Sequence, residues 1–148
     1  MKKIEFVKGE NGYDEMQIAV RGKGFMIAYI TAIVVLALLT RFDETTKYIN
    51  PYAEFVVTVW ASMTVFFFYV IKHNAYDRIN DTSTGKTIFA VFGIAGLFIL
   101  AAAMIRSEKI GENLLAQIFI GGCMIINCAF YFIHYAIHRN DDENEDDE

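Results

Sequence analysis

The 148-residue chain is poor in the groups that most enzymes use. It has one proline, three histidines and two cysteines, and no Asp, Glu, Lys or Arg between Leu114 and Ile137. Cys123 and Cys128 lie five apart in one apolar block, a spacing at which two thiols on one helix cannot easily pair. No disulfide framework and no zinc-finger spacing is present. A basic footprint for nucleic acid is also missing. The formal charge is −5, but the last eight residues, DDENEDDE, carry seven of the eighteen acids. The remaining 13 basic and 11 acidic residues leave the body at +2, so no direct nucleic-acid partner is expected. A cleavable secretory signal is not expected either. Some 24 residues of mixed charge precede the first apolar run, and no small-residue cleavage site follows it.

What the chain has is hydrophobic length. It is 55% hydrophobic with a mean hydropathy of +0.32, gathered into four runs at 25–40, 52–71, 87–105 and 114–137. At about 1.5 Å per residue, the last run extends about 36 Å, enough to cross a bilayer with some tilt. The expected fold is an all-α membrane protein, a four-transmembrane-helix bundle occupying residues 25–137. Residues 1–24 form an N-terminal segment and 138–148 a disordered acidic tail. Asp14-Glu15 starts a helix that leads into the first span through Arg21 and Lys23, with a hinge allowed at Gly22 and Gly24. The first span is short and borrows a turn from that helix. Ala28 and Ala32 permit close helix approach. Asn50-Pro51 caps the second span, and the tight RSEKIGEN loop makes spans three and four antiparallel neighbours.

Lys and Arg counts orient the chain. Nine (Lys2, Lys3, Lys8, Arg21, Lys23, Lys72, Arg78, Lys86 and Arg139) fall on the side of both termini, and four (Arg41, Lys47, Arg106 and Lys109) on the other. The bias places both termini in the cytoplasm of a multi-pass protein of a cell membrane, here a bacterial plasma membrane.

Polar residues inside the spans mark the candidate site. Gln117, Gly121, Met124, Asn127, Tyr131, His134 and His138 follow steps of three or four and share one face of span four. Glu54, Thr58, Ser62, Tyr69 and His73 form a similar line on span two. Thr31, Ser62 or Thr64, and Asn127 fall at similar depth. Two readings stay open. These groups hydrogen-bond across helices and fix packing, or Thr31, Glu54, Ser62, Gln117, Asn127 and Tyr131 line a polar, ligand-binding interior. His73, His134 and His138 are a weaker alternative as a metal site, since two histidines four apart can share an ion. An aromatic belt with Tyr29, Tyr69, Tyr76, Tyr131 and Tyr135 accounts for the same region. Asn80 to Thr87, NDTSTGKT, looks like the back half of a phosphate loop but lacks its first glycine and a preceding strand. A cap and a snorkelling Lys86 fit it better.

Asp14, Glu15, Ile18, Arg21, Gly22 and Lys23 match a short acidic "DE(R)…I…(K/R)GK" opening, with Met16 where a basic residue is commoner. In this opening and in its architecture the chain resembles a loose class of small bacterial four-span membrane proteins of unassigned function. Members of that class are often encoded beside helix-turn-helix regulators. The resemblance implies a membrane partner of such a regulator; no catalytic residues carry over from it, because the class has none assigned, and no cofactor is expected. Charge and flexible sequence concentrate on the side of the termini, while the outer loops are short, so the expected function is non-enzymatic: a cytoplasmic regulator or another membrane subunit bound through the cytoplasmic face. The alternative is a small transporter or accessory subunit using a cavity between spans two and four. Such a narrow protein would need to act as a homo-oligomer.

Overall fold

The computed structural model describes residues 14–46, 51–77, 83–105 and 113–145, with the side chains of 42–46, 113 and 138–145 outside that description. The segments 1–13, 47–50, 78–82, 106–112 and 146–148 lie outside it altogether, and with them the Asn50 cap and the connections after the first and third helices. Four helices make up the described chain: α1 (Glu15–Thr46), α2 (Pro51–Lys72), α3 (Ser83–Ile105) and α4 (Asn113–Glu145). Each is long and apolar enough to span a membrane.

Two helices run further than their apolar runs. α1 continues unbroken through Gly22 and Gly24, because Gly24 serves as a contact surface rather than a hinge. It is buried, and a Cβ there would stand 3.2 Å from atoms of Phe66 and Val70. α4 continues through Glu145, so most of the stretch expected as a disordered acidic tail is helical. Once a long apolar helix exists, each further residue adds a backbone hydrogen bond without a new nucleation cost.

α2 ends in a Schellman motif. Asn74 takes φ 52°, its N–H donates to Ile71 O at 2.9 Å, and the Ala75 N–H donates to Val70 O at 3.0 Å. Asn tolerates the left-handed conformation better than most residues. Ala75 is fully buried behind the cap.

α2 and α4 form the centre of the molecule. Ala53 and Val56 pack on Ala116, and Phe67 packs in one cluster with Tyr131, so the two helices run parallel. α1 runs antiparallel along α2, with the half-buried Ala28 and Ala32 on the stripe that faces it. α3 runs antiparallel along α4 and approaches it closely. A Cβ at Gly96 would stand 2.9 Å from Gly121 O, and one at Gly121 3.0 Å from Gly96 O. Only glycine allows two helix backbones to come this near.

The expected bundle is not a closed ring. Among the described helices α1 packs only on α2, and the α3 backbone packs only on α4. Both flank the same side of the α2–α4 pair. The other side of the seam is covered by the stacked rings of Phe68 and Phe130, 4.3 Å apart. The result is a three-sided arrangement whose fourth side, between α1 and α3, is open.

Candidate functional site

The residues that meet at one end of the molecule come from all four helices. Asp14 and Gln17 cap α1 reciprocally: the Gln17 N–H donates to Asp14 Oδ1, and the Asp14 N–H donates to Gln17 Oε1 at 3.4 Å. This is a capping box built on Asp and Gln. The other half of the same carboxamide reaches across the fold. Gln17 Nε2 donates to Asn74 O at 3.1 Å and Asp77 O at 3.2 Å. One turn on, Arg21 Nε donates to Ala75 O at 2.8 Å and its Nη2 to Tyr76 O at 2.7 Å. Two side chains of α1 thus hold four successive carbonyls after the α2 cap. Those carbonyls have left the helix ladder and need donors.

The segment held in this way delivers Asp77. Tyr131 of α4 donates its hydroxyl to Asp77 Oδ2 at 2.9 Å. The other carboxylate oxygen lies over Gly85, in the first turn of α3, where a Cβ would overlap it and come within 2.7 Å of the Tyr131 hydroxyl. A carboxylate is favoured there by the helix dipole. Beneath it, Phe67, Phe89 and Tyr131 form a buried cluster with Tyr76 and Phe92 against it. The Phe89 and Tyr131 rings stack at 4.4 Å. This arrangement also decides the phosphate-loop likeness. The anion at the start of α3 is the protein's own Asp77. Lys86 turns to Tyr135, donating to its hydroxyl at 2.8 Å and lying 4.2 Å from its ring centre. Residues 78–82 of that motif lie outside the described chain.

The six polar residues singled out from the sequence do not share one cavity. Thr31 donates to Ile27 O and Ser62 to Val59 O, each within its own helix. Asn127 meets Thr64: its Nδ2 donates to Thr64 Oγ1 at 3.2 Å, and Asn127 is 0% exposed. Asn127 Oδ1 is buried with no hydrogen-bond partner among the described residues. Tyr131 belongs to the Asp77 end. Gln117 lies at the opposite end, where it lines a pocket of about 220 Å³ with Tyr52, Ala116 and Ile120. Glu54 is half-buried in the first turn of α2.

The histidines divide. His73 is exposed with its ring 4.6 Å from that of Tyr69, His134 lies 6.4 Å from Phe130, and the His138 side chain is outside the described set. Among the described residues no three His, Cys, Asp or Glu side chains gather as a metal site would require. The residues that sequence reasoning missed as a unit are Gln17, Arg21 and Asp77. The D-x-x-Q spacing of Asp14 and Gln17 was the available signal, since it marks a capping box.

Among the described residues the fold is all-helical, with four helices each long and apolar enough to span a membrane. No family model, curated protein or solved structure matches the chain.

Proposed function

We propose that this is a multi-pass protein of the bacterial plasma membrane. The start of α1 and the end of α4 face the cytoplasm, where a non-enzymatic surface binds a soluble regulator or another membrane subunit. The observation that carries the reading is the hold of Gln17 and Arg21 on the carbonyls of 74–77. It makes a fixed platform of the end where the described termini emerge. The nine-to-four distribution of Lys and Arg supports cytoplasmic placement of that end. The resemblance to proteins encoded beside helix-turn-helix regulators supports a regulator as the partner.

The test is affinity capture of the tagged chain from gently solubilised native membranes. A form lacking 1–20 and 141–148 and an Arg21→Ala form are run beside it. A regulator or subunit held by the full chain and lost from both altered forms is the expected result. Identical partners on all three would overturn the reading.

A second reading, a small transporter or accessory subunit, rests on the buried, unpartnered Asn127 Oδ1. Such an acceptor inside a span is costly without a donor. Its direct contact with Thr64 closes the α2–α4 seam at that depth, which favours the first reading.

A further inference from the structure

The open side between α1 and α3 is a wedge of falling burial, and the gradient can be followed on both central helices. Tyr52, Met63 and Val70 lie on one side of α2, spaced eleven and seven residues apart. Val70 is 1% exposed, Met63 40% and Tyr52 58%. On α4 the corresponding line runs from Tyr131 and Met124, both buried, to Ile120 and Gln117, which are half-buried. The pocket of about 220 Å³ lies at the wide end of this wedge.

The wedge is amphiphilic in one direction. At its wide end Tyr52 and Gln117 line the pocket, and neither side chain makes a hydrogen bond to a described residue. The first turns of α2 and α4 lie side by side there, so their positive ends point the same way. Further in, the walls are Ile120, Met63 and Met124. The stretch from Tyr52 to Met63 is about 16 Å long at 1.5 Å per residue, close to the ~15 Å depth of one leaflet.

We propose that this cleft binds one phospholipid from the leaflet adjoining the start of α2. The phosphate accepts from Tyr52 and Gln117, and an acyl chain lies along Met63 and Ile120 between α1 and α3. The proposal rests on the membrane reading. Glu54 is not among the residues lining the pocket and lies on the far side of α2 from Tyr52, so it stays out of the contact.

The experiment uses the full chain, purified in detergent, stripped of lipid and titrated with dioleoyl phosphatidylglycerol while bound lipid is counted by native mass spectrometry. Dioleoylglycerol, with the same chains and no phosphate, is the comparison. The expected result is one retained phosphatidylglycerol per chain and weaker retention of dioleoylglycerol. Gln117→Leu should weaken the phospholipid roughly three- to tenfold through loss of a hydrogen bond. Met63→Trp should block it by filling the wedge, and Glu54→Gln should leave it unchanged. Should Met63→Trp fail to fold by circular dichroism, Gln117→Leu decides alone. No retained lipid, or equal retention by Gln117→Leu and wild type, overturns the proposal. A chain that stays soluble without detergent and does not float with vesicles overturns the membrane reading instead.

Discussion

The two ends of this molecule are built on different principles. At the Asp77 end, polar side chains from α1 hold backbone, a carboxylate meets a phenol, and a cluster of aromatic rings fills the space below. At the end where α2 and α4 begin, the described buried residues are smaller. Ala53, Val56 and Ala116 form the buried core, with Trp60 and Ile120 against it, while Tyr52 and Gln117 face a pocket. A membrane helix gains no hydrophobic drive from leaving lipid for another helix. On the membrane reading, helix position is decided by close packing and hydrogen bonds, and among the described residues the side-chain bonds to another element gather toward the Asp77 end.

The strongest way to break this contrast is to spoil the tight end. Gly85→Ala places a methyl group on the Asp77 carboxylate and against the Tyr131 hydroxyl. Separating that pair and shifting α3 should destabilise the protein by about 3 kcal/mol. Unfolding in detergent followed by the fluorescence of Trp60, the chain's single tryptophan, measures it. A loss below about 1 kcal/mol would mean that the Asp77–Tyr131 pair is not part of what holds this end.

Arg21→Ala comes next. It removes two hydrogen bonds, to Ala75 O and Tyr76 O, worth about 1 kcal/mol each where the guanidinium is half-exposed. The more telling readout is local. Amide exchange should quicken in the first turns of α1 and in 74–77, and stay unchanged around Gly96 and Gly121. Uniform quickening across α3 and α4 would show that the two ends are not independent.

A change of opposite sign sharpens the comparison. Gly122 lies inside α4, and a Cβ there would meet nothing within 4 Å. Gly122→Ala removes a glycine from a helix interior and should stabilise by up to about 1 kcal/mol. The same substitution at Gly121 would drive a methyl group to 2.8 Å from Leu100 Cγ and should destabilise. Two adjacent glycines with opposite outcomes in one unfolding assay would establish that α3 lies on the Gly121 side of α4.

How much of this was legible follows from what each feature depends on. The four helices were, since uninterrupted apolar length is a property of sequence alone. The meeting of Thr64 with Asn127 was also within reach, because equal depth on two spans can be counted. The hold of Gln17 and Arg21 was not. Their targets are carbonyls 54 to 60 residues away, and a carbonyl is the same group in every residue. Asp77 read as one more charge in a polar loop until Gly85 and Tyr131 were brought to it. The open side was hidden for a different reason. The apolar faces of α1 and α3 look alike whether they meet lipid or each other.

Asn127→Leu carries the smallest expected effect, and its sign is informative. The substitution removes one hydrogen bond to Thr64, of a kind that averages about 0.6 kcal/mol between membrane helices. It also removes a buried oxygen without a partner among the described residues, a group whose burial costs about 1–3 kcal/mol. The two oppose each other, and the second is larger, so the variant should match or slightly exceed wild type in stability. A loss above about 2 kcal/mol would mean that Oδ1 has a donor after all, for which an ordered water in the seam is the simplest identity. If the variant instead keeps its stability and loses a transport activity that wild type displays, Asn127 is retained for passage rather than packing. The second reading of function would then displace the first.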